Sequence, residues 1–576
     1  MNETRAVKIV IFTVPGGFTS ESVPIGVSRV IEGLDPSLGC DTTFINLETE
    51  FLGFDEIKNR IDAVKPRIIG FSAVLTHSYA YLKKLSIFLK KYFPDIAQVL
   101  GGQMSAIASI VAQRTKIDFC VTGESEPTFS ELIAKLKETD FKLTDMRVFA
   151  GIKGLVFLSD GIPYFTGYAE GGKNELLQMN YELMSKFIDV EALFPKITEY
   201  RNITASVNKY ELPGFFGLFF PGNVEKRKAD IAASKGCVGK CTFCHRFIRG
   251  YKSFDPQSVI EHIEYLLKNR DIGLINFYGE NFGSDKKAAG IIVDYLKNRR
   301  VNWSLGGARV DIIDEDVIKK WKDAGCVSIS LGIESCSQKM LDVMEKRTTV
   351  EKNLNAINLC FRHGILTTML LLIGMPGETE ETIAETIGNL AKVIPDDTNM
   401  PYEICINYFQ AVPGTPGYEY ARSAGLIGSS LDDEERYIEG LYGVDANNIK
   451  HYLNFTDYQK EETAYWKHYI FLELIVAYIK KHGLIRTLRR KKANRYKYAA
   501  IYMLLPARVR KFILKYTIML STFGLSGTLA TIYRKLFKPR KEFFSKVSES
   551  LRQINKRSPM PVRPDDVYTH ILRLGR

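Results

Sequence analysis

Cys237, Cys241 and Cys244 are crowded into GCVGKCTFCHRF in Cys-x3-Cys-x2-Cys spacing. Thiolates are the usual ligands of iron-sulfur clusters. A four-iron cubane needs four contacts, so three cysteines leave one iron open to another ligand and therefore to chemistry. The alternatives are a zinc site or three unrelated core thiols. Zinc would need a fourth ligand, and His245 is hard to aim at the same metal because it adjoins Cys244. The chain has nine cysteines, an odd number at irregular positions, which suits a metal site better than a disulfide framework. Cys326, Cys336, Cys360 and Cys405 have no ligand spacing and read as core residues.

The triplet follows a strand-like run, ADIAASKG, that opens an alternation continuing through GLINFYG, WSLGGARV, VSISLGIE, LTTMLLLIG and YEICINYF. Helices fit between them. Asp255 and Pro256 form a cap and first-turn proline, and later helices run Lys286–Lys297, Asp314–Asp323, Lys352–Phe361 and Glu380–Val393. Six such units in about 200 residues predict an open barrel, three-quarters of the eight-unit form, with its site at the carboxyl ends of the strands. An earlier alternation fills the first 130 residues: VKIVIF at Val7, DTTFIN at Asp41, RIIGFS at Arg67, QVL at Gln98 and DFCVTG at Asp118. That rhythm predicts a doubly wound parallel sheet that binds ligands at its strand ends. GIKGLVFLSDGIPYF predicts a hairpin around Asp160-Gly161, and the stretch from about Glu170 to Arg227 a connection over the surface. The expected fold class is α/β: a Rossmann-like domain at 1–150, a hairpin and connecting segment at 151–227, a partial (β/α)6 TIM-type barrel at 228–425, and a mainly helical basic region at 426–576.

With Phe243 before its last cysteine, the triplet resembles that of the radical S-adenosylmethionine superfamily, and the likeness runs from about Ala229 to Gly417. It implies a 4Fe-4S cluster on the three cysteines. S-adenosylmethionine would sit on the open iron and be cleaved to a 5′-deoxyadenosyl radical. By the same resemblance Gly279 and Glu280 of FYGEN lie near the methionine amino group and Arg309 of GGARVD meets its carboxylate. Gly332 of LGIES allows close approach, Glu334 contacts ribose or amino group, and IGMPGET at Ile373 forms the turn around the adenine. LGGQMSA at Leu100 and VTGESEPTF at Val121 are similar to the cobalamin-binding domain that precedes the radical domain in one large class of this superfamily. Ser72 and Thr76 after the third strand, Gly101 and Gly102 after the fourth, and Gly123 and Glu124 after the fifth are the implied cobalamin contacts; the alternative is a flavodoxin-like sheet whose glycines only form turns. The Asp-x-His-x-x-Gly motif of methionine-synthase-type domains is replaced by TVPGGFTSESVPIG, so the cobalt lacks that histidine, with His77 the one alternative axial ligand before the cysteines.

By the resemblance the expected reaction is methylation of an unactivated carbon of a lipid or other biosynthetic intermediate, one S-adenosylmethionine methylating cobalamin and a second supplying the radical. Cyclisation, rearrangement or oxidation without methyl transfer is the alternative. A methylthiotransferase would need a second cluster, and only Cys40 and Cys120 precede the triplet; a non-enzymatic cobalamin sensor would need no open iron. An electron donor such as flavodoxin or ferredoxin is the implied partner. Hydrophobic and charged contents of 45% and 25% exclude disorder and a collagen-like fibre. The net charge of +12 is uneven, because from His451 onward 27 Lys and Arg face 8 Asp and Glu. The amino terminus reads as a strand rather than a signal peptide, and the carboxyl-terminal apolar runs fall short of the roughly 18–20 residues that span a bilayer. The expectation is a cytoplasmic protein, peripheral at an anionic membrane face through its basic end, with nucleic acid the weaker reading.

Overall fold

A computed structural model of the 576-residue chain describes residues 6–16, 23–73, 78–123, 126–167, 169, 178–199, 212–244, 250–279, 281–397, 402–428, 430–441, 452–490 and 494–537. Its first sheet contains β1 (Val7–Thr13), β2 (Cys40–Asn46), β3 (Ile68–Ser72), β4 (Ala97–Gly101), β5 (Phe119–Val121), β6 (Leu155–Ser159) and β7 (Ile162–Phe165), in the order β2-β1-β3-β4-β5-β6-β7. β1 to β5 are parallel. Helices cover both faces, which is why the strands are apolar on both: Ile9, Ile11 and Val99 feed one core, and Val10, Phe12 and Leu100 the other.

β6 and β7 form the hairpin at Asp160-Gly161, whose φ angles of 53° and 77° are those of a tight turn. β6 pairs antiparallel with β5, so the first sheet runs past the expected boundary at 150 to Phe165.

The second sheet has all six expected strands: β8 (Arg227–Ala232), β11 (Ile272–Tyr278), β12 (Asn302–Ala308), β13 (Cys326–Glu334), β14 (Leu366–Ile373) and β15 (Tyr402–Tyr408). They are parallel and adjacent in chain order. Asp255, Asp314, Thr349 and Thr379 each cap a following helix by accepting a backbone N–H. Ala229, Ile231, Phe277, Trp303 and Ile329 point to those helices and fill the core. The alternate positions line the barrel with polar groups. Lys228 Nζ lies 2.5 Å from Asp230 Oδ2, Asn276 Nδ2 donates to Asp230 Oδ1 at 2.6 Å, and Ser304 donates to Asn276 Oδ1 at 3.0 Å. A short antiparallel pair, β9 (Ser234–Gly236) and β10 (Tyr251–Ser253), brackets the cysteine loop.

In its described parts, 178–199 and 212–227, the connecting segment is more than a surface wrap. Ile197, Phe215 and Phe219 are buried against Leu274, Val327 and Leu366, which begin β11, β13 and β14. A three-quarter barrel leaves apolar strand ends uncovered, and burying these aromatics there removes that surface from water.

After the barrel come helices Leu431–Gly440, Trp466–His482, Leu484–Arg490, Asn494–Met503 and Ala507–Phe537. The last merges apolar runs that read separately in sequence: over Ala507–Lys535 it is long and apolar enough to cross a membrane by length and composition, which corrects the expectation that no such segment exists. Gly524, at φ 71°, kinks it.

Candidate functional site

The cysteine loop leaves β9 at the carboxyl end of β8. Cys237 N donates to Gly250 O at 3.0 Å and Cys244 N to Cys241 O at 3.3 Å. Thr242 ties the loop to the helix Gln338–Val343, its N donating to Met344 O at 2.9 Å and its Oγ1 to Val343 O at 3.2 Å.

Gly239 tests whether the loop suits a cluster. A Cβ there would meet Arg309 Nη1 at 2.8 Å and the sulfurs of Cys237 and Cys241 at 3.3 and 3.6 Å. Two thiols and a cation thus converge where only a glycine fits, and Gly239 N donates to Cys237 Sγ at 3.2 Å, as amides do to cluster thiolates. Among the described residues no three His, Cys, Asp or Glu side chains are gathered as a preformed metal site, the three thiols included. Burial pushes the Cys241 thiol up, and the charges of Lys346 and Arg309 pull it back toward the thiolate. Of the remaining cysteines, Cys120, Cys326, Cys336 and Cys360 are buried core thiols; burial pushes the last two up to about 12.

Arg309 follows β12 beside this loop. Its Nη1 is 4.0 Å from Cys241 Sγ, while Nη2 pairs with Asp311 at 2.9 Å and donates to Lys346 O at 2.8 Å. A carboxylate brought to the cluster would meet this cation. Glu334 ends β13 at φ 60°, a left-handed conformation uncommon for a residue with a side chain. Its carboxylate accepts from Lys346 Nζ at 2.7 Å, with side-chain exposures of only 13% and 7%. A Cβ on Gly332 would meet both partners at 2.9 Å, so the pair occupies the space the glycine opens. Lys346 also lies 5.9 Å from the Phe243 ring centroid, joining the pair to the cysteine loop.

Gly279 adopts φ 112° at the end of β11; Glu280 lies outside the described residues. On either side stand two polar groups that only the structure picks out. Asn281 is fully buried, and among the described residues neither its amide atoms nor the buried Tyr278 hydroxyl has a partner. Buried polar atoms left open beside a cofactor motif fit a bound ligand. In the IGMPGET turn, buried Glu378 accepts from Gly374 N, and burial raises its carboxyl to about 8.

The first sheet gathers its candidates at one end. Register aligns Thr13, Ser72 and Gly101 across β1, β3 and β4, and Gly123 follows β5. A Cβ on Gly101 or Gly123 would touch nothing within 4 Å, whereas one on Gly102, at φ 91°, would come within 2.6 Å of Ala73 O. Ala73 after β3 and Gly102 after β4 therefore pack backbone to backbone, and among the described residues nothing fills the space beside Gly101 and Gly123. Thr13 donates to Asn46 at 2.6 Å on the same edge, a pair that sequence reasoning did not single out. Thr76, His77 and Glu124 lie outside the described residues.

One helix ties the two ends together. Glu435 of Leu431–Gly440 accepts from Tyr79 and Lys83, both at 2.6 Å, just past β3. Glu434 accepts from Tyr418 and pairs with Arg422 at 3.0 Å on the barrel side. Tyr437, next to them, packs into the cluster of side chains that includes Phe243.

Comparison with known proteins agrees with both halves. Residues 16–133 match the B12 binding domain and residues 231–390 the radical SAM superfamily. The anaerobic magnesium-protoporphyrin IX monomethyl ester cyclase of Rubrivivax gelatinosus is 28% identical over 366 residues, 62% of this chain and 60% of that one. An uncharacterized methyltransferase of Pyrococcus horikoshii is 26% identical over 428 residues, 70% of this chain and 82% of that one. The match thus spans less than two thirds of the cyclase but most of the archaeal protein. The structure of the radical S-adenosylmethionine methyltransferase TsrM from Kitasatospora setae, with cobalamin and a [4Fe-4S] cluster bound, aligns with a TM-score of 0.54 at 16% identity, covering 73% of this chain and 76% of that one, and so shares the fold. The chain belongs to the cobalamin-binding radical S-adenosylmethionine enzymes, and its cofactors are a 4Fe-4S cluster, S-adenosylmethionine and cobalamin.

Proposed function

We propose that this enzyme methylates an unactivated carbon of a lipid or other biosynthetic intermediate. The observation that carries the reading is the joining of the two units: the helix Leu431–Gly440 binds Tyr79 and Lys83 just past β3 and packs into the side-chain cluster that includes Phe243 of the cysteine loop. The methyltransferase relative, matched over 82% of its length, supports it. When bound, the cluster and S-adenosylmethionine supply a radical that removes a hydrogen atom, and cobalamin supplies the methyl group. Cys237, Cys241 and Cys244 would hold the cluster, Arg309 would anchor a carboxylate next to it, and the Lys346–Glu334 pair would keep that anchor in place. The Asp230, Asn276 and Ser304 chain inside the barrel would orient a polar group of the substrate. No general base is required.

Ring closure is the second reading, favoured by the cyclase relative. Labelling separates them. With S-adenosylmethionine carrying a deuterated methyl group, methylation leaves the label in the product and yields S-adenosylhomocysteine together with 5′-deoxyadenosine. Mass spectrometry of a gene-deleted strain against its parent, both grown on methyl-deuterated methionine, is expected to reveal a labelled metabolite that the deletion lacks. A deletion that loses only an unlabelled cyclic product would replace methylation with ring closure.

A further inference from the structure

Gly483 to Phe537 contains 13 Lys and Arg and no Asp or Glu. Among the described side chains these cations fall into two sets. Five are paired with carboxylates. Arg510 clasps Glu473 at 2.7 Å, Lys511 and Lys515 meet Glu380 at 2.8 and 3.4 Å, and Arg534 and Lys535 reach Glu461 and Glu462 at 3.4 and 3.1 Å. The other set, Arg486, Arg489, Arg495, Lys497 and Arg508, is exposed.

Between these outer cations lie the large apolar side chains that the fold leaves in water: Ile485 is 68% exposed, Tyr498 63%, Leu504 79%, Phe512 63%, Leu525 66% and Tyr533 60%. On the last helix Val509, Phe512, Ile513 and Leu520 are exposed while Arg510, Lys515 and Met519 are buried, and beyond the kink exposed Leu525, Leu529 and Tyr533 recur every four residues. Large apolar side chains exposed in such number along one end of a folded chain point to an interaction surface.

We propose that this face docks into the interfacial layer of an anionic lipid bilayer, with the helices lying flat and the barrel resting above them. The chemistry selects the partner. Apolar side chains rimmed by cations match acyl chains beneath anionic headgroups. Nucleic acid would draw the cations but gives Ile485, Leu504 and Leu525 nothing to bury against. A second copy would bring two uncompensated positive surfaces together, at a Coulombic cost. The helix long enough to cross a membrane is held out of that role by its inner face. Arg510 and Lys515, 4% and 8% exposed, would have to leave their carboxylates and enter hydrocarbon.

Flotation of the full-length protein with vesicles of phosphatidylcholine alone, or of phosphatidylcholine with phosphatidylglycerol, tests this. The expected result is binding to the anionic vesicles only, weakened by added salt. Leu504→Asp with Phe512→Asp should weaken it about tenfold or more, and Arg486→Gln with Arg489→Gln about fivefold per charge. The second pair lies on a different helix and carries the test if the first lowers the melting temperature. Equal recovery with both vesicle types, or with neither, overturns the proposal. So does a nucleic-acid duplex that shifts the protein when anionic vesicles do not, or light scattering showing a dimer that the Asp pair dissolves.

Discussion

Lys346 and Glu334 form an ion pair almost out of water, next to the cysteine loop and beneath the guanidinium of Arg309. Removing one partner leaves the other's charge buried and unpaired. Lys346→Met is therefore expected to cost about 3–5 kcal/mol in anaerobic chemical denaturation and to weaken S-adenosylmethionine binding in equilibrium dialysis. Asp311→Asn, at the more exposed end of the same network, should cost about 1 kcal/mol or less. Equal losses for the two would mean that the buried pair does not organise this region. Sequence legibility at this scale follows chemistry. Three cysteines within eight residues announce themselves, and a cation after a strand is a reasonable candidate. Lys346 was not legible, because twelve residues and a helix separate it from Glu334 and only folding makes them partners. Asn281 carried no signal either, since an amide after Glu280 looks like any loop residue until both its atoms are found buried without partners.

The last helix is fastened to the barrel at Glu380, the first residue of the helix Glu380–Lys392. Burial alone would raise this carboxyl, but Lys511, Lys515 and the Tyr465 hydroxyl reverse that and hold it at about 2, below its ordinary 4.5. A depressed folded-state value contributes stability that is fully present above pH 4.5 and is lost as the pH falls toward 2. Acid titration of wild type and Glu380→Gln is expected to show the variant less stable at neutral pH and losing less across that acid window. Superimposable curves would remove Glu380 as the fastening point. Strands were the most legible elements: VKIVIF is apolar at nearly every position, as a sheet covered on both faces requires, and LTTMLLLI buries alternate positions against the barrel helices. The extent of the last helix was not legible. Lys511 and Lys515 divide its apolar stretch in sequence, and only in the fold are they carried inward by Glu380 and Glu462. The connecting segment misled for a related reason, since Phe215 and Phe219 read as loop aromatics until the open barrel needs them as a plug.

At the scale of the molecule, two α/β units that each bind ligands at their strand ends are joined by helix Leu431–Gly440 through carboxylates facing opposite ways: Glu435 toward Tyr79 and Lys83, Glu434 toward Tyr418 and Arg422. The order of the two units was plain in the sequence. Their joint was not, because its partners lie more than 350 residues apart for Tyr79 and Glu435. One chain is expected to hold a cluster on Cys237, Cys241 and Cys244 and, independently, a cobalamin on its first sheet. Iron and cobalt can be counted per chain by elemental analysis after anaerobic reconstitution of wild type and of Cys237→Ala/Cys241→Ala/Cys244→Ala. The wild type should carry about four iron and one cobalt, and the variant should lose the iron and keep the cobalt. A variant that retained its iron, or a wild type that took up no cobalt, would overturn this assignment.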